Sequence, residues 1–297
     1  MEAKFCYIQR KKIKLENKMD QRKSIKIGFA CVIFCLMGFC LVGIAGAGQS
    51  TNIWVHKGSE LMSSEKYNEA IKAYDKAIEI NPHNSGAWYK KGNTLSKLGK
   101  YDGAIKAYEK AIEINPQNSN AWNNKGVTLA KLGDSDEAVK AYDKAIETNP
   151  KNTDAWNNKG DALGQLNQSG KAITAYDKAI EINPQNSEAW YNKAVTLNIL
   201  NKSDAAIKAY DKAIEINPQN SKAWYSKGVV LDNLNKYDEA ITAYDKASEI
   251  DPHNSAVWYN KAVTLSKLGD SDEAIKAYAR AIEINPSESE AWSMMKQ

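Results

Sequence analysis

Beyond residue 47 the sequence contains no cysteine; Cys6, Cys31, Cys35 and Cys40 all precede it. That excludes a disulfide framework there, so residues 48–297 must hold together by packing alone. Histidine is scarce, and His56, His83 and His253 lie far apart. No zinc, calcium-loop or nucleophile-elbow pattern occurs. Gly43–Ser50 has the glycines of a phosphate loop, but Gln49 stands where a lysine is required and no strand precedes it. No catalytic residue, metal ligand or cofactor site is assigned.

Positive charge is also missing where nucleic-acid binding would need it. Residues 1–47 hold nine of the 40 Lys and Arg and three of the 36 Asp and Glu. The remainder therefore carries 31 basic and 33 acidic side chains, a net of −2 that is mixed in sign. It lacks the basic stripe that phosphate contacts require, so nucleic acid is not an expected partner.

The sequence has one long apolar run. No charged residue falls between Ile27 and Val55. The basic region 1–26 precedes the run; its densest part is Phe29–Val42, and a small-residue stretch with Ala45-Gly46-Ala47 follows. Two readings stand. One is a secretory signal peptide cleaved after Ala47; the other is an uncleaved membrane anchor over 27–47, long enough to span a bilayer. Met19 opens a more ordinary signal n-region than Met1 does. Under either reading Lys18, Arg22, Lys23 and Lys26 stay cytoplasmic and residues 48–297 face outward, secreted or membrane-anchored. Cys31, Cys35 and Cys40 read as small hydrophobes in this apolar setting.

What is present is a comb. Trp54, Trp88, Trp122, Trp156, Trp190, Trp224, Trp258 and Trp292 are each 34 residues apart, and Pro82 through Pro286 keep the same step. Such regularity requires a repeat architecture. Each unit reads as two short amphipathic helices. Gly99, Gly133 and Gly269, or Asn167, Asn201 and Asn235, mark the first turn, where a left-handed backbone is expected. Proline ends the second helix, and the Asn-Ser after it supplies N-cap oxygens. Trp fills the first helix, and a small residue four places later lets the second helix approach. Tyr74, Tyr108, Tyr142, Tyr176, Tyr210, Tyr244 and Tyr278 pack that second helix. Near-identical units supply no single catalytic constellation.

The comb of Trp, small residue, Leu, Ala, Tyr, Ala and Pro resembles the tetratricopeptide repeat family over residues 51–297. The resemblance implies an all-α fold: a right-handed α-solenoid of stacked 34-residue helix–turn–helix repeats, preceded by the N-terminal hydrophobic segment. The units are 51–84, 85–118, 119–152, 153–186, 187–220, 221–254 and 255–288, with 289–297 a partial repeat expected to form a capping helix. Lys57, Lys91, Lys125, Lys159, Lys193, Lys227 and Lys261 depart from the family's usual Leu; their stems are expected to cover apolar surface while the ammonium reaches water.

In that family the first helices line a concave groove for peptides. Carried onto this sequence, the position two after Trp gives Lys90, Asn124, Asn158, Asn192 and Asn260, similar to an asparagine ladder. An Asn amide offers both donor and acceptor, so it suits a peptide backbone. The position one after gives Tyr89, Tyr191, Tyr225 and Tyr259, with Asn123 and Asn157 between, and exposed Tyr is a common contact residue. Asp154, Asp161 and Glu188 make the middle of the groove acidic, with Asp232 later, so units four and five are expected to accept a basic or aromatic segment. No three consecutive units supply the Lys and Asn set with which family members clamp chaperone tails. Asn167-Gln168-Ser169 and Asn201-Lys202-Ser203 are glycosylation sequons on turns. The reading is a scaffold for a protein or peptide partner, without enzymatic activity. Alternatives are a self-associating structural protein or a non-catalytic adaptor subunit.

Overall fold

In a computed structural model that describes residues 50–286, every regular element is an α-helix and no strand occurs among the described residues. The segment 1–47 and the expected cap over 289–297 lie outside the described residues. The chain forms two compact units, one ending at Leu98 and one beginning at Gly99.

The first unit holds α1, helical over 50–63, with α2 (Tyr67–Ile80) and α3 (Ser85–Lys97). The second holds α4 (Tyr101–Ile114), α5 (Ser119–Lys131), α6 (Ser135–Thr148), α7 (Thr153–Gln165), α8 (Ser169–Ile182), α9 (Ser187–Ile199) and α10 (Ser203–Ile216). It continues through α11 (Ser221–Asn233), α12 (Tyr237–Ile250), α13 (Ser255–Leu268) and α14 (Ser271–Ile284).

The turns form where their chemistry puts them. Gly99, Gly133 and Gly269 take φ of 72°, 86° and 90°, and Asn167, Asn201 and Asn235 take 58°, 56° and 61°. Glu65 adopts φ 58° in the first such turn, where the sequence offers neither Gly nor Asn. At the other end of each pair, Asn84, Asn118, Asn152, Asn186 and Asn220 cap the next helix, each side chain accepting from the backbone N–H three residues on. Asn254 occupies the same position without that bond. The proline turn is closed by its own aromatic partner. Trp156 Nε1 donates to the Pro150 carbonyl at 3.0 Å, and Trp190 and Trp224 do the same to Pro184 and Pro218 at 3.1 and 3.0 Å. That bond accounts for Trp and Pro sharing one period.

Within the second unit α5 packs on α6, α7 on α8, α9 on α10, α11 on α12 and α13 on α14, and each even helix also packs on the next odd one. The odd helices α5, α7, α9, α11 and α13 touch one another in sequence, so the first helices line one side of the stack. This is the consecutive pair packing of an α-solenoid.

The core is carried by tyrosine rather than tryptophan. All seven second-helix Tyr, from Tyr74 to Tyr278, are no more than 3% exposed, whereas the described Trp are half-buried. A Cβ added at Gly58, Gly126, Gly160 or Gly228 would lie within 2.6 Å of Cε1 of Tyr74, Tyr142, Tyr176 or Tyr244 respectively, so the glycine makes room for the ring. The lysine ammonium groups also meet specific partners. Lys159 Nζ lies 5.4 Å from the centre of the Trp156 ring and 2.6 Å from Asp143. Lys91, Lys193 and Lys227 repeat this with Asp75, Asp177 and Asp211 at 2.6 Å. An acidic residue sixteen places earlier captures each ammonium.

Candidate functional site

The odd helices bring the positions one and two after Trp into register with those of the neighbouring unit. Asn158 Nδ2 donates to Asn123 Oδ1 at 3.1 Å, Asn192 Nδ2 to Asn157 Oδ1 at 3.4 Å, and Asn260 Nδ2 to the Tyr225 hydroxyl at 2.7 Å. Asn123 Nδ2 also donates to Asn124 Oδ1 at 3.2 Å. The ladder is therefore first a set of bonds between repeats, which corrects the expectation that its amides stand wholly free for a peptide. The donors of Asn158 and Asn192 point inward, and their carbonyl oxygens keep no partner among the described residues.

The tyrosines at the position one after Trp are half-buried rather than exposed. The Tyr191, Tyr225 and Tyr259 rings pack against Tyr210, Tyr244 and Tyr278 at centroid distances of 5.9, 6.1 and 5.9 Å. They brace the second helix and show only part of their surface to the groove.

The acidic residues divide into two kinds. Asp232 is half-buried and already engaged, accepting from Thr264 Oγ1 at 2.9 Å and Lys267 Nζ at 2.6 Å. Asp161 is also held, accepting from the Tyr176 hydroxyl at 2.7 Å and from Asn192 Nδ2 at 2.9 Å. Burial pushes its carboxyl up to about 6, with the Tyr176 hydrogen bond opposing and the Glu188 charge adding to the rise. Burial, followed by the charge of Asp161, likewise raises the Tyr142 and Tyr176 hydroxyls well above their ordinary value. Asp154 and Glu188, by contrast, are exposed and make no hydrogen bond or ion pair among the described residues.

These features meet at one cavity of about 520 Å³ on the first-helix side, over α5, α7 and α9. Asn123, Asp154, Asn157, Asn158 and Glu188 line it, with Thr153, Ser187 and, from the turn between α8 and α9, Asn183, Gln185 and Asn186. Every lining residue is polar. Asn123 and Asn157 are 8% and 3% exposed, so the floor is fixed and the carboxylates form the mouth.

Of the residues the sequence pointed to, Asp154, Asn158 and Glu188 are gathered here. Asn192 and Asp161 lie alongside, joined through the bond to Asn157. Lys90 and Tyr89 belong to α3 in the first unit, and Asn260 and Tyr259 to α13; none of the four lines the cavity. Asn123 and Asn157 carry more of the site than their place beside the ladder suggested. Their signal was the paired Asn123-Asn124 and Asn157-Asn158, where units five to seven have Tyr at the first place.

A second crevice, of about 440 Å³, lies over Trp156 with Val139, Leu163 and the Lys159–Asp143 pair at its walls. Its lining is shared with the structural ion pair. Among the described residues no three His, Cys, Asp or Glu gather to hold a metal ion, and no helix is long and apolar enough to cross a membrane.

Family models described as tetratricopeptide repeat or TPR repeat match residues 58–99, 89–153, 123–187, 187–220, 209–242 and 233–297. No curated protein sequence matches the chain. Among solved structures, YrrB, described as a TPR protein with an unusual peptide-binding site, is 25% identical with a TM-score of 0.56, covering 65% of this chain and all of its own. MamA is 27% identical with a TM-score of 0.52, over 56% of this chain and 96% of its own. PilF of Pseudomonas aeruginosa is 19% identical with a TM-score of 0.62, over 71% of this chain and 96% of its own, a likeness of fold alone.

Proposed function

Since the chain belongs to the tetratricopeptide repeat family, we propose that it is a non-catalytic scaffold whose first-helix groove binds an extended segment of a partner protein. The observation that carries this reading is the polar cavity over α5, α7 and α9. Its lining amides include the Asn157 donor and the Asn158 side-chain carbonyl, neither of which has a partner among the described residues. An extended backbone needs such groups, because each of its residues brings one N–H and one C=O that must be satisfied on leaving water. YrrB, similar over 65% of this chain, is described by its peptide-binding site, which favours the same use of the surface here.

We further propose that the repeats act on the outer side of a membrane, secreted or tethered by 27–47. The charge-free stretch from Ile27 to Val55 behind a basic segment supports this. Protease added to intact cells should then degrade the repeats, and protection until lysis would contradict it.

Photo-crosslinking tests the groove. A benzoylphenylalanine placed at Asn158 in the full-length chain should give a discrete partner adduct, and one at Lys144, on the exposed face of α6, should not. Adducts from Lys144 alone would move binding to the opposite face.

A further inference from the structure

We propose that the cavity over α5, α7 and α9 seats one lysine or arginine side chain of the bound segment, an inference that rests on the groove reading above. The first argument is how the cavity arises. In units five to seven a Tyr stands one after Trp and packs on the second-helix Tyr, as Tyr191 does on Tyr210 at 5.9 Å. Units three and four replace it with Asn123 and Asn157, and the cavity they line measures about 520 Å³. That size falls within the ~300–1,000 Å³ of ordinary ligand clefts.

The second argument is what stands at the mouth. Among the seven full units the position two before Trp is Asn52, Gly86, Asn120, Lys222 or Ala256, and it is acidic in the adjacent units four and five, as Asp154 and Glu188; Glu290 of the partial repeat is the other acid at this place. Both line the cavity and neither has an ion-pair partner among the described residues. Close by, acids facing the second-helix side are neutralised, Asp143 by Lys159 and Asp177 by Lys193. Asp161, held by Tyr176 and Asn192, adds negative charge near the same place.

The third argument concerns the floor. Asn157 is 3% exposed and accepts from Asn192, yet its own Nδ2 donates to no described residue. A nearly buried amide donor facing a polar cavity calls for an acceptor, and a peptide carbonyl supplies one. An aromatic occupant would leave the all-polar lining unpaired, and an anionic one would meet two free carboxylates. A guanidinium or ammonium meets the two carboxylates with charge-assisted bonds, while the peptide carbonyl of the same segment accepts from Asn157.

A selection on the full-length chain from a phage-displayed library of random peptides tests this. The selected sequences should share one Lys or Arg, and a synthetic peptide with norleucine at that place should bind at least about tenfold more weakly, the order expected for charge-assisted bonds. The paired substitution Asp154→Asn and Glu188→Gln, both at exposed positions and with helicity checked by circular dichroism, should abolish that discrimination while the norleucine peptide binds as before. Peptides that lack a shared basic residue, or discrimination that survives the paired substitution, would overturn the inference and leave the groove reading standing. Selection of no peptide at all would overturn both.

Discussion

Lys159 reaches back sixteen residues to Asp143, at 2.6 Å, while its ammonium lies over the Trp156 ring at 5.4 Å. Lysine here joins the ring of a first helix to the second helix of the preceding unit. The ion pair is half open to water, so Asp143→Asn should lower stability by less than about 1 kcal/mol, and by less still in high salt. Lys159→Ala removes the stem that covers the ring and should cost more than Asp143→Asn. Urea unfolding of the two variants, with and without added salt, checks the order.

Gly160 leaves room for the Tyr176 ring, against which a Cβ would collide. Gly160→Leu should destabilise the chain by about 2–3 kcal/mol, the overpacking cost exceeding the roughly 1 kcal/mol gained in helix propensity. A fall in the urea midpoint reads this directly. A variant as stable as the parent would mean that the two helices separate more easily than the packing implies.

Asp161 carries the pH dependence. Its carboxyl, ordinarily at 3.8, is held at about 6 in the folded chain by burial. The folded state therefore retains a proton that the unfolded state has lost between those values. Stability contributed by this group is present below pH ~4, falls as pH rises toward 6, and stays lower above it. Asp161→Asn should remove that slope and raise stability near pH 7 by about 1–3 kcal/mol, since Tyr176 and Asn192 still find an oxygen there. Thermal unfolding of both proteins between pH 4 and 7 measures it.

Asn152 and Asn254 stand at equivalent N-caps but differ in bonding. Asn152 accepts from the Ala155 N–H at 3.1 Å and donates to Ser119 Oγ at 2.8 Å, whereas Asn254 makes no capping bond. Asn152→Ala should cost about 1–2 kcal/mol and Asn254→Ala no more than about 0.5 kcal/mol. Equal losses in urea unfolding would contradict the difference.

The fold was legible because its signals are local. Gly133 and Asn201 mark left-handed turns by residue type alone, and the comb of Trp and Pro needs no tertiary information. What the sequence concealed depends on contacts between units. Asn192 looks like a surface amide until Asn157 and Asp161 of the preceding unit meet it. Asp232 and Asp161 both read as groove charges, yet Lys267 and Thr264 capture one and Tyr176 holds the other. The second-helix Tyr pack as expected, their rings fitting beside a Gly, whereas the half-burial of Trp depends on a contact the sequence hides, its indole reaching the proline carbonyl.

The most direct test of the groove is to close its cavity with the chain's own device. Asn157→Tyr places there the residue that units five to seven carry, and Lys144→Glu alters the exposed face of α6. Fluorescence anisotropy of one selected peptide against the full-length parent and both variants gives the comparison. Affinity should fall by at least about tenfold with Asn157→Tyr, as expected when a buried polar contact is lost, and stay unchanged with Lys144→Glu. Unchanged affinity in Asn157→Tyr, with helicity intact, would contradict binding at this site.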